Sequence, residues 1–177
     1  MNFPFPIIDP HIHQWDLLNT PRILTWPKRL LGWNRYLYES AIRLGASETD
    51  KRYVGRPDFV AHNYLPADYA ADAADLPVTQ VVHVEAEWRD RKGLGPAQET
   101  RWLEQLFGDS TPGLGAVVGY VGLEQANAAQ LIAAHIQAST RFSGVRQMLA
   151  FDLDDGIMRF CPRPYLSRDH HWRRGLA

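Results

Sequence analysis

Short apolar runs alternate along this chain with amphipathic stretches, and the two differ in period. Residues 3–14, FPFPIIDPHIHQ, read as a short apolar strand ending in polar residues. Residues 78–88, VTQVVHVEAEW, form a second strand, with Val82, Val84 and Ala86 on one face and His83, Glu85 and Glu87 on the other. Residues 115–123 and 142–151 complete a set of four. Between them the apolar positions follow a helical period. Residues 66–76 start with Pro66 and run through alanines, a helix beginning. Residues 96–107 gather Trp102, Leu103, Leu106 and Phe107 on one side, and residues 124–139 gather Leu131, Ile132, His135 and Ile136. Residues 166–176 read as the opening of a fourth helix.

Strands alternating with helices of this size predict a parallel sheet with right-handed crossovers. The pattern admits an open doubly wound sheet or part of a (β/α)₈ barrel. The expected fold is α/β, the first four β/α units of a TIM barrel, incomplete, because a whole barrel takes about 250 residues. On this view residues 1–177 are one partial domain. A long irregular insertion covers about 18–63, rich in Trp26, Trp33, Tyr36 and Tyr38. Leu30, Leu31, Trp33, Leu37, Ile42 and Leu44 place a helix within 28–44, and a segment of this length covers the mouth of a site.

Composition narrows the function classes. With 19 basic and 20 acidic residues the formal charge is −1, so no electrostatic footprint for nucleic acid or an anionic membrane is expected. Apolar residues make up 45% and charged residues 22%, which excludes a disordered or collagen-like chain. No apolar run is long enough for a membrane span. The N-terminus lacks the basic and apolar regions of a signal peptide. The lone Cys161 has no disulfide partner, which suits a reducing cytoplasm.

The sharpest chemical feature is Asp9-Pro10-His11-Ile12-His13. Strand alternation puts Asp9, His11 and His13 on one face, and two neutral imidazoles two residues apart can converge on one divalent cation. Glu85 and Glu87 are polar on a strand whose faces are normally covered, so they read as contacts lining a site. Arg146 and Gln147 close the fourth strand, and only one of the two points inward. A guanidinium there suits a carboxylate or a polarised carbonyl. Arg89-Asp90-Arg91-Lys92 reads as a solvated loop face.

Ile8-Asp9-Pro10-His11-Ile12-His13-Gln14-Trp15-Asp16 resembles the D-x-H-x-H-x-W-D opening of the amidohydrolase-related (amidohydrolase 2) family. Residues 64–69 (YLPADY), 82–88 (VHVEAEW), 99–103 (ETRWL) and 144–147 (GVRQ) follow in the order seen in its lactonase-like branch. The resemblance implies a metal-dependent TIM-barrel hydrolase of cyclic esters, of which this chain is the N-terminal half. Amide hydrolysis or decarboxylation on the same scaffold, or a non-catalytic binding module, are the alternatives. His11 and His13 match the metal-binding pair, with Zn or Mn as the cation. Some lactonases of this branch work without metal, and there the two histidines would touch substrate. Arg146, Glu85, Glu87 and Gln147 would contact a small-molecule substrate. The family's later histidines and its general-base Asp have no counterpart, so this chain alone is not expected to be a competent hydrolase. Its open sheet edges would be managed by pairing into a homodimer, or not at all.

Overall fold

The computed structural model describes residues 4–22, 24–56 and 59–177; the strand expected from position 3 therefore begins outside them. Four strands, β1 (Ile7–Ile12), β2 (Val78–Val84), β3 (Gly113–Tyr120) and β4 (Phe142–Arg146), form one sheet in the order β1-β2-β3-β4. Every pairing is parallel. After β1 the chain forms α1 (Thr25–Leu31), α2 (Arg35–Gly45), α3 (Glu48–Val54) and α4 (Pro66–Asp72). Helices α5 (Ala97–Phe107) and α6 (Ala128–Ala138) are the crossovers to β3 and β4, and α7 (His170–Leu176) is last.

The incomplete TIM barrel is not what forms. The structure corrects it to a small α/β domain on a four-stranded, all-parallel sheet with β1 and β4 at its edges. Only the β2–β3–β4 part keeps the one-helix spacing on which the barrel expectation rested. Four helices separate β1 from β2, and no helix follows β4 until a 3₁₀ turn at Leu166–Arg168. Strand–helix alternation specifies parallel pairing; closure depends on strand tilt and stagger, which alternation does not encode. Among the described residues, 18–63 carries three α-helices and a 3₁₀ turn at Phe59–Ala61, and where one helix is expected within 28–44 Gly32 separates α1 from α2.

Local chemistry explains the ends of these elements. Asn34 caps α2 by accepting from the Leu37 amide. Ser47 and Asp50 close a capping box on α3. The core gathers Ile12, Tyr69, Ala73, Val81, Leu103, Phe107, Leu114 and Val117, drawn from the first three strands, from α4 and the residue that ends it, and from α5. A second cluster, Ala97, Val121, Leu123, Ala128 and Leu131, is flanked by Trp172 of α7.

His135 locks α6 to this frame. Its Nε2–H donates to the Tyr120 carbonyl at 3.1 Å, Nδ1 accepts from the Thr100 hydroxyl at 2.7 Å, and its ring stacks on Phe142. Burial holds its pKa below the ordinary histidine value. A methyl group at Gly119 would lie 2.6 Å from the ring, which is held at both ends and cannot swing aside. Gly119→Ala is therefore expected to cost about 2–4 kcal/mol, from overpacking and one or two disturbed hydrogen bonds. Urea denaturation measures it, and an unchanged midpoint would show that the ring has room.

Candidate functional site

Parallel pairing brings the C-terminal ends of all four strands to one edge of the sheet, where open α/β sheets bind ligands. At that edge the chain places His11, His13, Glu85, Tyr120 and Arg146.

The two histidines meet. His11 Nε2 and His13 Nε2 are 3.1 Å apart, with the rings edge-on. His13 Nδ1 lies 2.8 Å from the Val84 carbonyl at the end of β2. A carbonyl only accepts, so Nδ1 carries the proton and Nε2 keeps a free lone pair. Burial lowers the His13 pKa, with His11 and Arg146 adding and the Val84 bond and Glu85 opposing. His11 Nε2–H donates to that lone pair.

The same separation suits shared coordination. Two nitrogens each about 2.1 Å from one cation stand roughly 3.0–3.4 Å apart at ordinary coordination angles. A ring whose other nitrogen donates to a backbone carbonyl is the usual form of a metal-ligating histidine. The donor set therefore fits a divalent cation, with His11 changing tautomer. Among the described residues no group of three or more His, Cys, Asp or Glu side chains is arranged to hold a metal ion, so the pair would supply two ligands.

Asp9 does not join them. The register slips between Asp9, opposite Val81, and Ile12, opposite His83. Pro10 has no N–H for the ladder, and the resulting bulge breaks strict alternation. The Asp9 carboxylate instead accepts from Tyr69 of α4 at 2.8 Å and from the His11 amide at 3.0 Å. His83 is wholly buried, and its Nε2 accepts from the Gln14 amide at 3.0 Å, pinning the segment that carries His13. Burial, and then the nearby His13 and Arg22, push its pKa down to about 3.

Glu85 and Glu87 part company. β2 ends at Val84, and Glu87 adopts a left-handed backbone (φ 57°), with its amide donating to Glu85 Oε2 at 3.1 Å. Glu87 is exposed, whereas Glu85 is 2% exposed. Glu85 Oε2 also accepts from Arg91 Nη2 at 3.0 Å, and its Oε1 lies 4.0 Å from Arg146 Nε. Of the two residues closing the fourth strand, Arg146 faces this cluster, and its Nη1 donates to the Glu85 carbonyl at 3.3 Å. Gln147 is engaged elsewhere. It accepts from the Leu123 amide and Trp172 Nε1 and donates to Glu124, tying α7 to the end of β3.

Two features escape a residue-by-residue reading. Arg91, in the run read as a solvated loop face, instead lays its guanidinium 3.8 Å from the centre of the Tyr120 ring. Arg22 and Glu99 form a buried ion pair of 2.9 Å, and Arg22 lies near the rings of Trp88 and Trp102. Arg22 also donates to the Ala86 carbonyl, and Glu99 accepts from the Ala86 amide. The pair thus clamps the turn that presents Glu85. No periodicity marks Arg22, which lies in a stretch read as irregular.

No helix among the described residues is long and apolar enough to cross a membrane. No family model matches the chain, and no solved structure matches it. It is similar to the uncharacterized protein y4mH of Sinorhizobium fredii (strain NBRC 101917 / NGR234), at 29% identity over 173 residues. The alignment covers 96% of this chain and 48% of that protein, so the chain spans about half the length of the relative it matches.

Proposed function

We propose that this chain carries part of the site of an amidohydrolase-related hydrolase that opens a cyclic ester or a similar carbonyl substrate, in the cytoplasm. The observation that supports the reading is the His11–His13 pair, 3.1 Å apart, with the Val84 carbonyl holding His13 in the tautomer that frees Nε2. In this reading His11 and His13 hold a Zn or Mn ion, which when bound polarises the substrate carbonyl and acidifies water. The remaining work belongs to protein groups. Arg146, at the same edge, would orient a carboxylate or carbonyl oxygen. Val84 keeps His13 pointed at the site. The general base and any further ligands lie outside residues 1–177 in this proposal.

A second reading is a small-molecule binding module without turnover. It is favoured by Glu85, the buried carboxylate of the cluster, which is already committed to Arg91 and Arg146 and so is a poor general base.

Calorimetric titration of the full chain with Zn or Mn tests the shared premise. Replacing His11 or His13 by Ala should weaken binding by about 100-fold or more, since loss of an outer partner alone typically costs 10–100-fold. Equal binding by wild type and both variants would remove the metal reading. A binding panel of lactones then tests the substrate side: binding of a lactone that depends on the metal supports the hydrolase reading, and binding of none leaves the binding module.

A further inference from the structure

Arg91 holds a donor without an acceptor. Its Nη2 is bound to Glu85 and its plane lies over Tyr120, but Nη1 is buried and makes no hydrogen bond. A buried donor left unsatisfied is costly. Arg146, on the other side of Glu85, spends Nη2 on the Met148 sulfur at 3.0 Å, a weak acceptor. Two guanidiniums therefore share one buried carboxylate, and the cluster is left with unused N–H groups. Neither is sealed off: the Arg91 and Arg146 side chains are 31% and 27% exposed. Neither Glu124, which accepts from Gln147, nor the exposed Glu87 makes an ion pair with these two arginines among the described residues.

We infer that Arg91 and Arg146 form a clamp for a carboxylate, with Tyr120 as the platform that orients Arg91, so that the small molecule taken at this edge carries a free carboxylate. The planar forks of two arginines bind the two oxygens of one carboxylate with a geometry that lysine cannot reproduce. As a statement about substrate, the inference rests on the functional reading above; as a statement about binding, it stands by itself.

The test uses the full chain and two probes, glutarate and its neutral diamide, in calorimetric titrations. Glutarate should bind and the diamide should not. Arg91→Gln should weaken glutarate at least about tenfold, in keeping with loss of a charge-assisted pair, and Arg91→Lys should recover only part of it. Arg89→Gln, at an exposed position facing a separate depression beside Trp26 and Arg29, should bind glutarate as wild type does. If Arg91→Gln fails to fold by circular dichroism, Arg91→Lys, which keeps the charge beside Glu85, decides the matter. Absence of glutarate binding by wild type, or equal binding by the Arg91→Lys variant, overturns the clamp. Arg91-dependent glutarate binding with no binding of any lactone would keep the clamp and sink the hydrolase. Lactone binding with no effect of glutarate or of Arg91 would do the reverse.

Discussion

Arg22→Met is expected to destabilise the fold by about 3–5 kcal/mol, the usual cost of removing one partner from a buried ion pair. Arg22 is 5% exposed and Glu99 3%, so the Glu99 carboxylate would be left without a counter-charge or water. Four groups lose a donor together: Glu99, the Ala86 carbonyl, Thr20 Oγ1 and the Gln14 carbonyl. Burial outweighs the pull of Arg22 on Glu99, whose pKa lies above the ordinary carboxylate value. Desolvation therefore dominates this pair. The double replacement Arg22→Met with Glu99→Leu should then be less damaging than Arg22→Met alone. Chemical denaturation of the three variants gives the coupling. A double variant as unstable as the sum of the singles would mean that the two charges act independently.

Acid should destabilise the protein steeply, and His83 is a principal cause. Its folded pKa is about 3, against about 6.5 for an unperturbed histidine. Above pH 6.5 the ring is neutral in both states, and its contribution is complete. Between about pH 6.5 and 3 the unfolded chain binds a proton that the folded chain refuses. Stability therefore falls with falling pH by up to about 1.4 kcal/mol per unit, a few kcal/mol across the window. His83→Gln removes the titration while leaving an oxygen able to accept from the Gln14 amide. Urea midpoints measured from pH 7.5 to 4 should fall less steeply for the variant. Parallel slopes would show that His83 titrates normally in the folded protein.

The local elements were legible because their signals are local. Apolar Val82 and Val84 alternating with His83, and the stripe of Leu103 and Phe107 on α5, depend on neighbours within a turn or a pleat. The face shared by Asp9, His11 and His13 was legible only in part. Spacing two residues apart brings His11 to His13, but Pro10 interrupts the ladder and sends Asp9 to Tyr69. Glu85 and Glu87 show the same limit, since alternation ends where the strand does, at Val84, and Glu87 turns left-handed.

By itself the sequence determined the four strands and their parallel pairing, the helices that start at Pro66 and lie between the later strands, and the approach of two imidazoles at the end of β1. Tertiary structure alone decided that the sheet stays a four-stranded α/β layer rather than the start of a barrel. It also decided that Val84 sets the tautomer of His13, that Arg91 turns inward onto Tyr120, and that Arg22 reaches Glu99. The physical reason is range. Periodicity reports which side of an element is apolar. Desolvation and hydrogen-bond partners are set by groups some 70 positions away, as with His13 and Val84 or Arg22 and Glu99, and no local pattern encodes who those partners are.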